Sequence, residues 1–256
     1  MKTTYLLLSS ALLLGCVSAC NTSGQKSKEM KTDDGSITTV ETVGSKLTIC
    51  DLSLVKDTIE VPLSEFVEDC RIVRFGTSEE AYFKAWFINA TDNYIGIRQG
   101  DRGVFKLFDR NGKFLYNVGS VGSGPGEYDT TLYDECIDEK NGHIFFTPFV
   151  GKRIMMYDIN GQWIKDIQLP IQVNKPKIWV NEDGSLSIIH MPFNEGEPLA
   201  FQMDTDGNIL KQIPATAATK VMNFDGEIFS YRNCNDFDFF HTSIDTLFTY
   251  DSTNNK

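Results

Sequence analysis

Hydrophobic residues along this chain come in short runs that end at polar clusters rich in Asp, Asn and Gly. Four of these clusters begin 49, 46 and 47 residues apart, and each follows a run that ends in an aromatic residue or Met. They are Asp109-Arg110-Asn111-Gly112, Asp158-Ile159-Asn160-Gly161, Asp204-Thr205-Asp206-Gly207 and Asp251-Ser252-Thr253-Asn254. Because Asp, Asn and Gly favour tight turns, the pattern predicts short strands joined by hairpins.

A second set of turn residues recurs between the first ones, at intervals of 49, 42 and 42 residues. Its members are Asp92-Asn93, Asn141-Gly142, Asp183-Gly184 and Asp225-Gly226, each of which opens another apolar run. Two turn registers that repeat together every 40 to 50 residues or so are typical of β-propellers built from four-stranded antiparallel blades. The predicted fold class is therefore all-β. Since a single blade cannot bury its own faces, we expect neighbouring blades to stack.

About four blades are predicted, and the last lacks its fourth strand. The predicted strands are 86–90, 94–98, 104–109 and 114–118; 132–138, 143–147, 153–158 and 162–169; 177–181, 185–190, 199–204 and 208–213; and 220–223, 227–231 and 246–251. Residues 71–75 form a further apolar run that can complete the last blade, which would remove two exposed sheet edges. One helical turn is predicted within 62–68, with Ser64 as its N-cap.

The N-terminus predicts export. An apolar run at 6–14 behind Lys2 is too short to span a membrane and is typical of a signal peptide. Val17-Ser18-Ala19-Cys20 has the pattern of a bacterial lipoprotein processing site, which predicts a signal at 1–19 and lipidation of Cys20. Cys16 fits that pattern less well, and an ordinary signal with an incidental cysteine is the alternative. Residues 20–46 are polar and predict a flexible tether, which leaves 47–256 as the propeller domain.

Net charge and cysteine content limit the classes of binding partner and metal expected for this chain. Removal of the signal, which contains one Lys, leaves 23 basic and 35 acidic residues, a net charge of −12. That charge disfavours nucleic acid and bare anionic lipid, so the predicted membrane contact is the N-terminal lipid alone. Four cysteines remain in the predicted mature body without Cys-x-x-Cys spacing: Cys50, Cys70, Cys136 and Cys234. Their spacing disfavours a zinc site. Either one disulfide or buried free thiols are compatible with it.

The order of several segments carries a family resemblance. The Gly-rich stretch at 119–128, followed by 141–145 and 153–161, resembles an NHL-type propeller repeat. Together with Leu63-Ser64-Glu65-Phe66, residues 72–75 and 245–248, it makes the mature chain similar to the six-bladed β-propeller lipoproteins of Bacteroidetes. The resemblance implies a propeller in the bacterial cell envelope, held at the outer membrane, and implies little about ligands. Because that family has six blades, four visible blades predict a chain truncated at its C-terminus, with a closed four-bladed ring as the alternative.

A ligand-binding face is predicted from the parity of an antiparallel meander. The tight turns fall on one face, while the longer loops at 99–103, 119–131, 148–152 and 191–198 converge on the other. Loops held by a rigid scaffold often carry function. The candidate ligand contacts are Arg98, Asp101, Arg102, Tyr128, Lys152, Arg153, His190 and Glu195. Ordinary solvated loop charges are the alternative interpretation of these residues.

The sequence predicts no metal and no cofactor. Its three histidines, His143, His190 and His241, are out of phase with the repeat, whereas metal-dependent propeller lyases place histidines at equivalent blade positions. The glycines at 122–126 resemble a phosphate-binding loop. Such a loop is followed by a helix whose N-terminus faces the phosphate, whereas Pro125 and the β-rich flanks disfavour a helix here. Trp86, Trp163, Trp179 and the Phe237 to Phe240 cluster suit sugar stacking, although blade packing is the favoured interpretation.

The predicted function is a non-catalytic binding scaffold, anchored by lipid outside the cytoplasm, whose loops meet a protein, peptide or glycan. The alternative is an NHL-like lyase or hydrolase with its active groups at the mouth of the central channel. Sequence motifs for catalysis are missing, which argues weakly for the scaffold.

Overall fold

The computed structural model describes residues 28–31, 35–42, 45–58, 60–100, 102–231, 237–242 and 247–250. It divides into two compact units, one up to Cys70 and one from Arg71 onward. The predicted signal peptide, the lipidation residue Cys20, the candidate contact Asp101 and Cys234 lie outside the described residues.

Twenty strands and three short 3₁₀ helices make up the described structure. The strands are β1 Lys28–Lys31, β2 Ile37–Thr42, β3 Ser45–Cys50, β4 Ala85–Ala90, β5 Tyr94–Gln99, β6 Phe105–Asp109, β7 Phe114–Val118, β8 Ser120–Val121, β9 Glu127–Tyr128, β10 Leu132–Asp138, β11 His143–Pro148, β12 Val150–Asp158, β13 Trp163–Asn174, β14 Lys177–Val180, β15 Leu186–Ile189, β16 Pro198–Met203, β17 Ile209–Pro214, β18 Ile228–Tyr231, β19 Phe237–His241 and β20 Leu247–Tyr250. The 3₁₀ helices are Leu52–Leu54, Leu63–Glu65 and Glu79–Ala81.

The first unit differs from the predicted tether. Strands β1, β2 and β3 form an antiparallel sheet in that order, so much of 28–46 is in strands. Five of the six residues of β2 are β-branched Ile, Val or Thr, a composition that favours strands over flexible coil. The predicted helical turn is present as Leu63–Glu65, but Pro62 rather than Ser64 occupies the N-cap, without a side-chain capping bond. Cys50 and Cys70 are exposed thiols.

The second unit contains four meander sheets. Sheet I is β4–β7, sheet II is β10–β13, sheet III is β14–β17 and sheet IV is β18–β20, each with neighbours in chain order. Every ladder in these sheets is antiparallel. The predicted strands of the first three blades correspond to sheets I, II and III, with ends that differ by a few residues.

The register predicted for the fourth blade is wrong. No strand is present at 220–223, and β19 occupies a segment predicted as a connection. The Asn223 side chain accepts a hydrogen bond from the backbone N–H of Asp225 at 3.0 Å, which makes a local turn within a loop. Asp225-Gly226 therefore closes the connection that precedes β18, and it is not the first hairpin of the blade.

Consecutive sheets pack face to face through apolar side chains. One core cluster joins Leu107 of sheet I to Ile144 of sheet II, and a second joins Ile154 of sheet II to Ile188 of sheet III. A third cluster joins residues of sheets III and IV, including Ala200 and Tyr250. Cys136 is buried in the second of these clusters. Four-stranded antiparallel sheets stacked in chain order confirm the predicted β-propeller fold class.

The recurring Asp-x-x-Gly turns have a direct role in this stacking. Gly112, Gly161 and Gly207 have φ values of 83°, 83° and 95°. A Cβ atom on them would lie 2.3, 2.7 and 2.5 Å from the carbonyl oxygens of Arg74, Asn117 and Gln168, respectively. Each turn thus presses its glycine against the outer segment of the preceding repeat, a contact that only glycine permits.

A glycine contact of the same kind shows where residues 71–75, which were predicted as a closing strand, lie relative to sheet I. Residues 71–75 are not assigned as a strand, and Arg74 meets Gly112 of sheet I in the way that Asn117 of β7 meets Gly161 of sheet II. Val73 and Phe75 pack against the core of sheet I. This segment therefore lies where the outer strand of a preceding blade would lie relative to sheet I.

Alanine at Gly161 should destabilise the protein more than alanine at Gly142. Both glycines have positive φ, at 83° and 71°, but nothing lies within 4 Å of a Cβ on Gly142. The backbone strain should cost about 1 kcal/mol in each variant, and the clash with Asn117 should add about 1 kcal/mol or more in Gly161→Ala. Urea unfolding midpoints measure the difference, and equal losses would contradict an inter-sheet role for the turn.

Candidate functional site

The longer loops of the second unit meet on one face, as predicted. The backbone N–H of Phe149, between β11 and β12, donates to the carbonyl of Thr131 at 2.9 Å. The N–H of Lys175 donates to the carbonyl of Phe149 at 2.7 Å, and that of Val221 donates to Pro192 at 2.8 Å. These bonds tie the connections between sheets to the loops between middle strands, so this loop-bearing face is an ordered surface.

Arg98 lies on this side of the molecule but is only 5% exposed. Its Nε lies 2.7 Å from a carboxylate oxygen of Glu135, and its Nη1 donates to the carbonyl of Leu132 at 3.1 Å. The guanidinium also covers the ring of Phe87 at 4.3 Å. Arg98 therefore joins sheets I and II as a buried ion pair, which leaves little of it for a ligand.

Tyr128 is inside the core rather than on the surface. It is 1% exposed, and its hydroxyl donates to the carbonyl of Val118 at 3.2 Å while accepting from the N–H of Phe105 at 2.9 Å. Burial raises the pKa of Tyr128 to about 12. The residue closes the space between sheets I and II and is not placed to touch a ligand.

Lys152 and Arg153 do lie together, at the rim of a cavity of about 340 Å³ that Asp129, Thr130 and Gln168 also line. The guanidinium of Arg153 pairs with Asp166 at 2.7 Å and with Asp129 at 3.1 Å. Lys152 is exposed. Cations and carboxylates balance here, so the cavity suits a polar ligand without selecting one charge.

The other candidate contacts are scattered. His190 is 1% exposed, and its Nδ1 accepts weakly from the N–H of Asn174 at 3.4 Å. Its Nε2 has no hydrogen-bond partner among the described residues. Glu195 is exposed and pairs with Lys220 at 2.8 Å, and Arg102 is exposed with a φ of 59°. The structure thus groups Lys152 with Arg153 and keeps His190 away from solvent.

A charged group that loop-based reasoning missed lies at the starts of the first strands. We call it the inner-strand cluster and define it as Tyr133, Asp134, Lys175, Lys177 and Glu227. The Tyr133 hydroxyl donates to one carboxylate oxygen of Glu227, and Lys175 Nζ donates to the other at 2.5 Å. Lys177 Nζ lies 3.6 Å from a carboxylate oxygen of Asp134 and 4.7 Å from the centre of the Tyr133 ring.

Lys175 is held in a strained conformation. Its φ is 46°, which non-glycine residues rarely adopt, and it is 4% exposed. Its ammonium donates to the carbonyls of Phe224 and Gly226 at 2.8 Å each, as well as to Glu227. All three donors of the ammonium are used, so Lys175 anchors the connection from sheet III to sheet IV.

Within the inner-strand cluster, the pKa shifts make the Tyr133 hydroxyl a hydrogen-bond donor and the Glu227 carboxylate an acceptor. Burial and the neighbouring Glu227 carboxylate raise the pKa of Tyr133, so its hydroxyl remains a neutral donor. Burial opposes ionisation of Glu227, but hydrogen bonds from Lys175 and Tyr133 outweigh it and lower the pKa of Glu227. The Glu227 side chain is 44% exposed, so an ionised carboxylate faces solvent at this position.

Aromatic rings border the cluster. Phe149 lies 5.6 Å from Tyr133 and 5.7 Å from Phe224, and Phe224 lies 4.9 Å from Phe193, measured between ring centres. We call Tyr133, Phe149, Phe224 and Phe193 the aromatic strip. A strip of rings beside a carboxylate and a lysine offers apolar contact and hydrogen bonding together, as small-ligand sites commonly do.

A sequence signal for this cluster exists. Tyr133-Asp134-Glu135 places three polar side chains in a first strand, and Lys175 and Lys177 flank Pro176 where the next one begins. Charges inside strands of an otherwise apolar sheet are unusual unless they are paired, whereas loop charges are common. Attention to strand charges would have found Asp134 and Lys177, whereas Lys175 and Glu227 lie just before the strands β14 and β18.

The described residues contain no group of three or more His, Cys, Asp and Glu that could hold a metal ion.

The Gly-rich loop at 122–126 folds around a carboxylate of the chain itself. Gly124 donates its N–H to the Glu127 carboxylate at 2.7 Å, and a Cβ on Gly122 would overlap that carboxylate. An internal carboxylate thus takes the place that a phosphate would need.

Within the described part of the chain, no helix is long and apolar enough to cross a membrane.

Two of the tryptophans differ from the packing interpretation. Trp86 and Trp163 are 61% and 42% exposed, and Trp86 is the extra residue at a bulge of β4. Trp179 does pack against the core between sheets III and IV, and Phe239 is buried within it. Bulges turn side chains away from the regular alternation, which a pattern of period two does not anticipate.

Residues 47–256 match the family model described as a domain of unknown function, DUF4934. The chain belongs to this family. The comparison with curated proteins finds no match. Among solved structures, an exported protein of Bacteroides fragilis has a TM-score of 0.59 and 17% identity, over 71% of this chain and 52% of that one. The DUF4934 chain therefore spans about half of that protein's length.

Two further solved structures are less similar. A member of the DUF4221 family from Bacteroides vulgatus has a TM-score of 0.42 and 12% identity, over 70% of this chain and 60% of that one. Virginiamycin B lyase from Staphylococcus aureus has a TM-score of 0.41 and 17% identity, over 88% of this chain and 70% of that one. Likenesses this weak carry no conclusion about activity.

His190 should make stability depend on pH. Burial lowers its pKa from an ordinary value of 6.5 to about 4, so the unfolded chain takes up the proton first as the pH falls. The free energy of unfolding should then decrease by about 3 kcal/mol between about pH 6.5 and pH 4, and this contribution should not change further below pH 4.

Urea unfolding at a series of pH values tests this, with His190→Asn as the comparison. Asparagine keeps an acceptor near the Asn174 N–H but does not titrate, so its curve should be flatter over that range. Parallel curves for the two proteins would show that His190 is not the titrating group.

Proposed function

We propose that this DUF4934 protein is a lipid-anchored, extracytoplasmic β-propeller that acts as a non-catalytic binding scaffold. Its ligand, a glycan or an exposed segment of a protein or peptide, sits on the loop-bearing face over the inner-strand cluster. The observation that carries the proposal is the exposed Glu227 carboxylate beside the aromatic strip, where loops from sheets II, III and IV meet.

The order of the cluster supports binding. Lys175 uses all its donors on Glu227 and two carbonyls, and Tyr133 holds the other carboxylate oxygen, so the acceptor is fixed before a ligand arrives. A preorganised group loses little conformational entropy on binding. Sugar rings offer both hydroxyl donors and apolar faces, which suits a fixed carboxylate next to rings, and glycans are therefore the favoured ligand class.

The cellular location rests on the N-terminus. Val17-Ser18-Ala19-Cys20 has the lipoprotein processing pattern, and the Bacteroides fragilis structure that shares this fold is described as an exported protein. We place the anchored protein at the outer membrane. The mature net charge of −12 keeps its surface from binding anionic lipid directly, so the lipid on Cys20 is the expected attachment.

Replacement of Cys20 should release the protein from membranes. Cells of a Bacteroidetes host expressing the full chain would be labelled with an alkyne fatty acid and fractionated, with Cys16→Ser as the matched control. Cys20→Ser should lose the label and move to the soluble fraction, while Cys16→Ser should keep both properties. An unchanged label in Cys20→Ser would contradict the proposed anchor.

Alteration of the exposed carboxylate should weaken ligand binding. The chain from residue 20 onward would be screened on glycan and peptide arrays, and affinities for any hit measured by calorimetry. Glu227→Gln should bind at least about tenfold more weakly, because a lost charged hydrogen bond costs about 1.5 to 3 kcal/mol. Glu182→Ala, in an exposed turn at the opposite end of sheet III, should bind normally. Equal affinity for Glu227→Gln would remove the cluster from the binding site.

A further inference from the structure

The repeat allows the spaces between consecutive sheets to be compared position by position. Between sheets I and II, the space beside the outer strands is filled by the ring of Tyr128. That ring bridges Phe105 and Val118 of sheet I through its hydroxyl and meets Phe146 of sheet II at 6.1 Å between ring centres. The loop that carries Tyr128 is extended here, since β9 pairs in parallel with β8.

Between sheets III and IV the corresponding space is open. A cavity of about 550 Å³ is lined by Ala200, Ile213, Phe239, Phe248 and Tyr250, among others. We call this cavity the inter-sheet groove. Its lining is mainly apolar, and the rings of Phe239 and Phe248 stack at 5.1 Å.

The strand registers show that the two spaces correspond. Ala200 pairs with Ile213 as Phe105 pairs with Val118. Phe239 pairs with Phe248 as Phe146 pairs with Met155. Tyr250 directly precedes Asp251 as Tyr157 precedes Asp158 in the turn repeat. The residues that surround Tyr128 thus have counterparts around the groove, and alanine in place of Phe105 makes the space wider.

No aromatic ring from the connection between sheets III and IV lines the groove, although Ala215 and Val221 of that connection are buried in the adjoining core cluster. The connections at 119–131 and 215–227 each contain 13 residues. In the second, Met222 is 85% exposed and Phe224 packs on Phe193, and neither lines the groove. Between sheets II and III, by contrast, Leu169, Ile171 and Val173 of the long strand β13 fill the space.

We propose that the inter-sheet groove binds an aromatic side chain presented by an extended segment of a partner peptide, in the way that the chain's own Tyr128 fills the equivalent space. Gln212, Thr216 and Thr219 lie at the rim, where the two threonine hydroxyls contact each other and the backbone of their own turn. The apolar lining and the stacked rings suit a Tyr or Phe ring, because burying an aromatic ring removes a large apolar area from water. This site is separate from the inner-strand cluster and does not depend on the proposed function.

The experiment uses a probe taken from the chain itself. A fluorescein-labelled peptide with the sequence of residues 122–130, Gly-Ser-Gly-Pro-Gly-Glu-Tyr-Asp-Thr, would be titrated with the chain from residue 20 onward and followed by anisotropy. Saturable binding is expected, and a peptide with Ala in place of Tyr should bind at least tenfold more weakly. No saturable binding, or equal binding of the two peptides, would overturn the proposal.

Two variants locate the binding. Ala200→Phe restores the residue found at the equivalent position of sheet I and should fill the groove. Gln212→Trp adds a ring at its exposed rim, where folding is little affected. Each should weaken peptide binding at least tenfold, while Gln162→Trp, exposed in the turn between β12 and β13 and outside the groove, should not. If Gln212→Trp, checked for folding by circular dichroism, binds the peptide normally, the groove is not the site.

A competition arm separates a peptide from a free small molecule. p-Cresol carries the ring of tyrosine without a backbone and should displace the labelled peptide only at far higher concentration than unlabelled peptide does. Displacement by p-cresol at the same concentration as the peptide would show that the groove takes small aromatic molecules, which would overturn the peptide assignment.

Discussion

The fold depends on the need of each meander sheet to bury both of its faces. Four antiparallel strands with apolar residues on two sides cannot be stable alone in water, because the exposed area would be too large. Sheets II and III therefore lie between neighbours, and their strands β10, β11, β15 and β16 are largely buried on both sides. The Gly161 turn fixes how closely sheet II approaches sheet I, through a contact with the backbone of Asn117.

Two buried ion pairs between the sheets give the stack a defined register. Arg98 with Glu135 and Lys177 with Asp134 each join two sheets, and both pairs are mostly shielded from solvent. A buried ion pair adds little net stability, but an unmatched buried charge is strongly unfavourable, so a shifted arrangement of sheets is penalised. The inner-strand cluster extends this pairing to the surface at Glu227. In this way, the packing constraint also positions the candidate binding face.

The spaces between consecutive sheets differ from one interface to the next, and one of them is not filled. Tyr128 fills one, the extension of β13 fills the next, and the inter-sheet groove beside Phe239 is open. A repeat architecture with similar sheets thus produces distinct surfaces through its connections. Because connections tolerate change more readily than strands, this is where related chains can differ in what they bind.

Much of the fold could be predicted from the chain alone. The Asp-x-x-Gly turns and the short apolar runs identify sheets I to III, because turn chemistry and strand period are local properties. They failed in the fourth blade, where Asp225-Gly226 resembles a hairpin but closes a loop. They also failed before Cys70, where β1 to β3 occupy a segment that resembles a tether. In both places a local preference was compatible with more than one role.

The candidate site was less accessible to sequence reasoning. The convergence of the loops followed from strand parity, yet among the candidates Arg98, Tyr128 and His190 proved to be buried. The sequence by itself determined the all-β repeat, the positions of most strands and the face on which the loops gather, since these follow from residue types close together along the chain. Only the tertiary structure decided which side chains are paired, buried or open, because those states depend on distant residues such as Tyr133 and Glu227 that meet when the sheets pack.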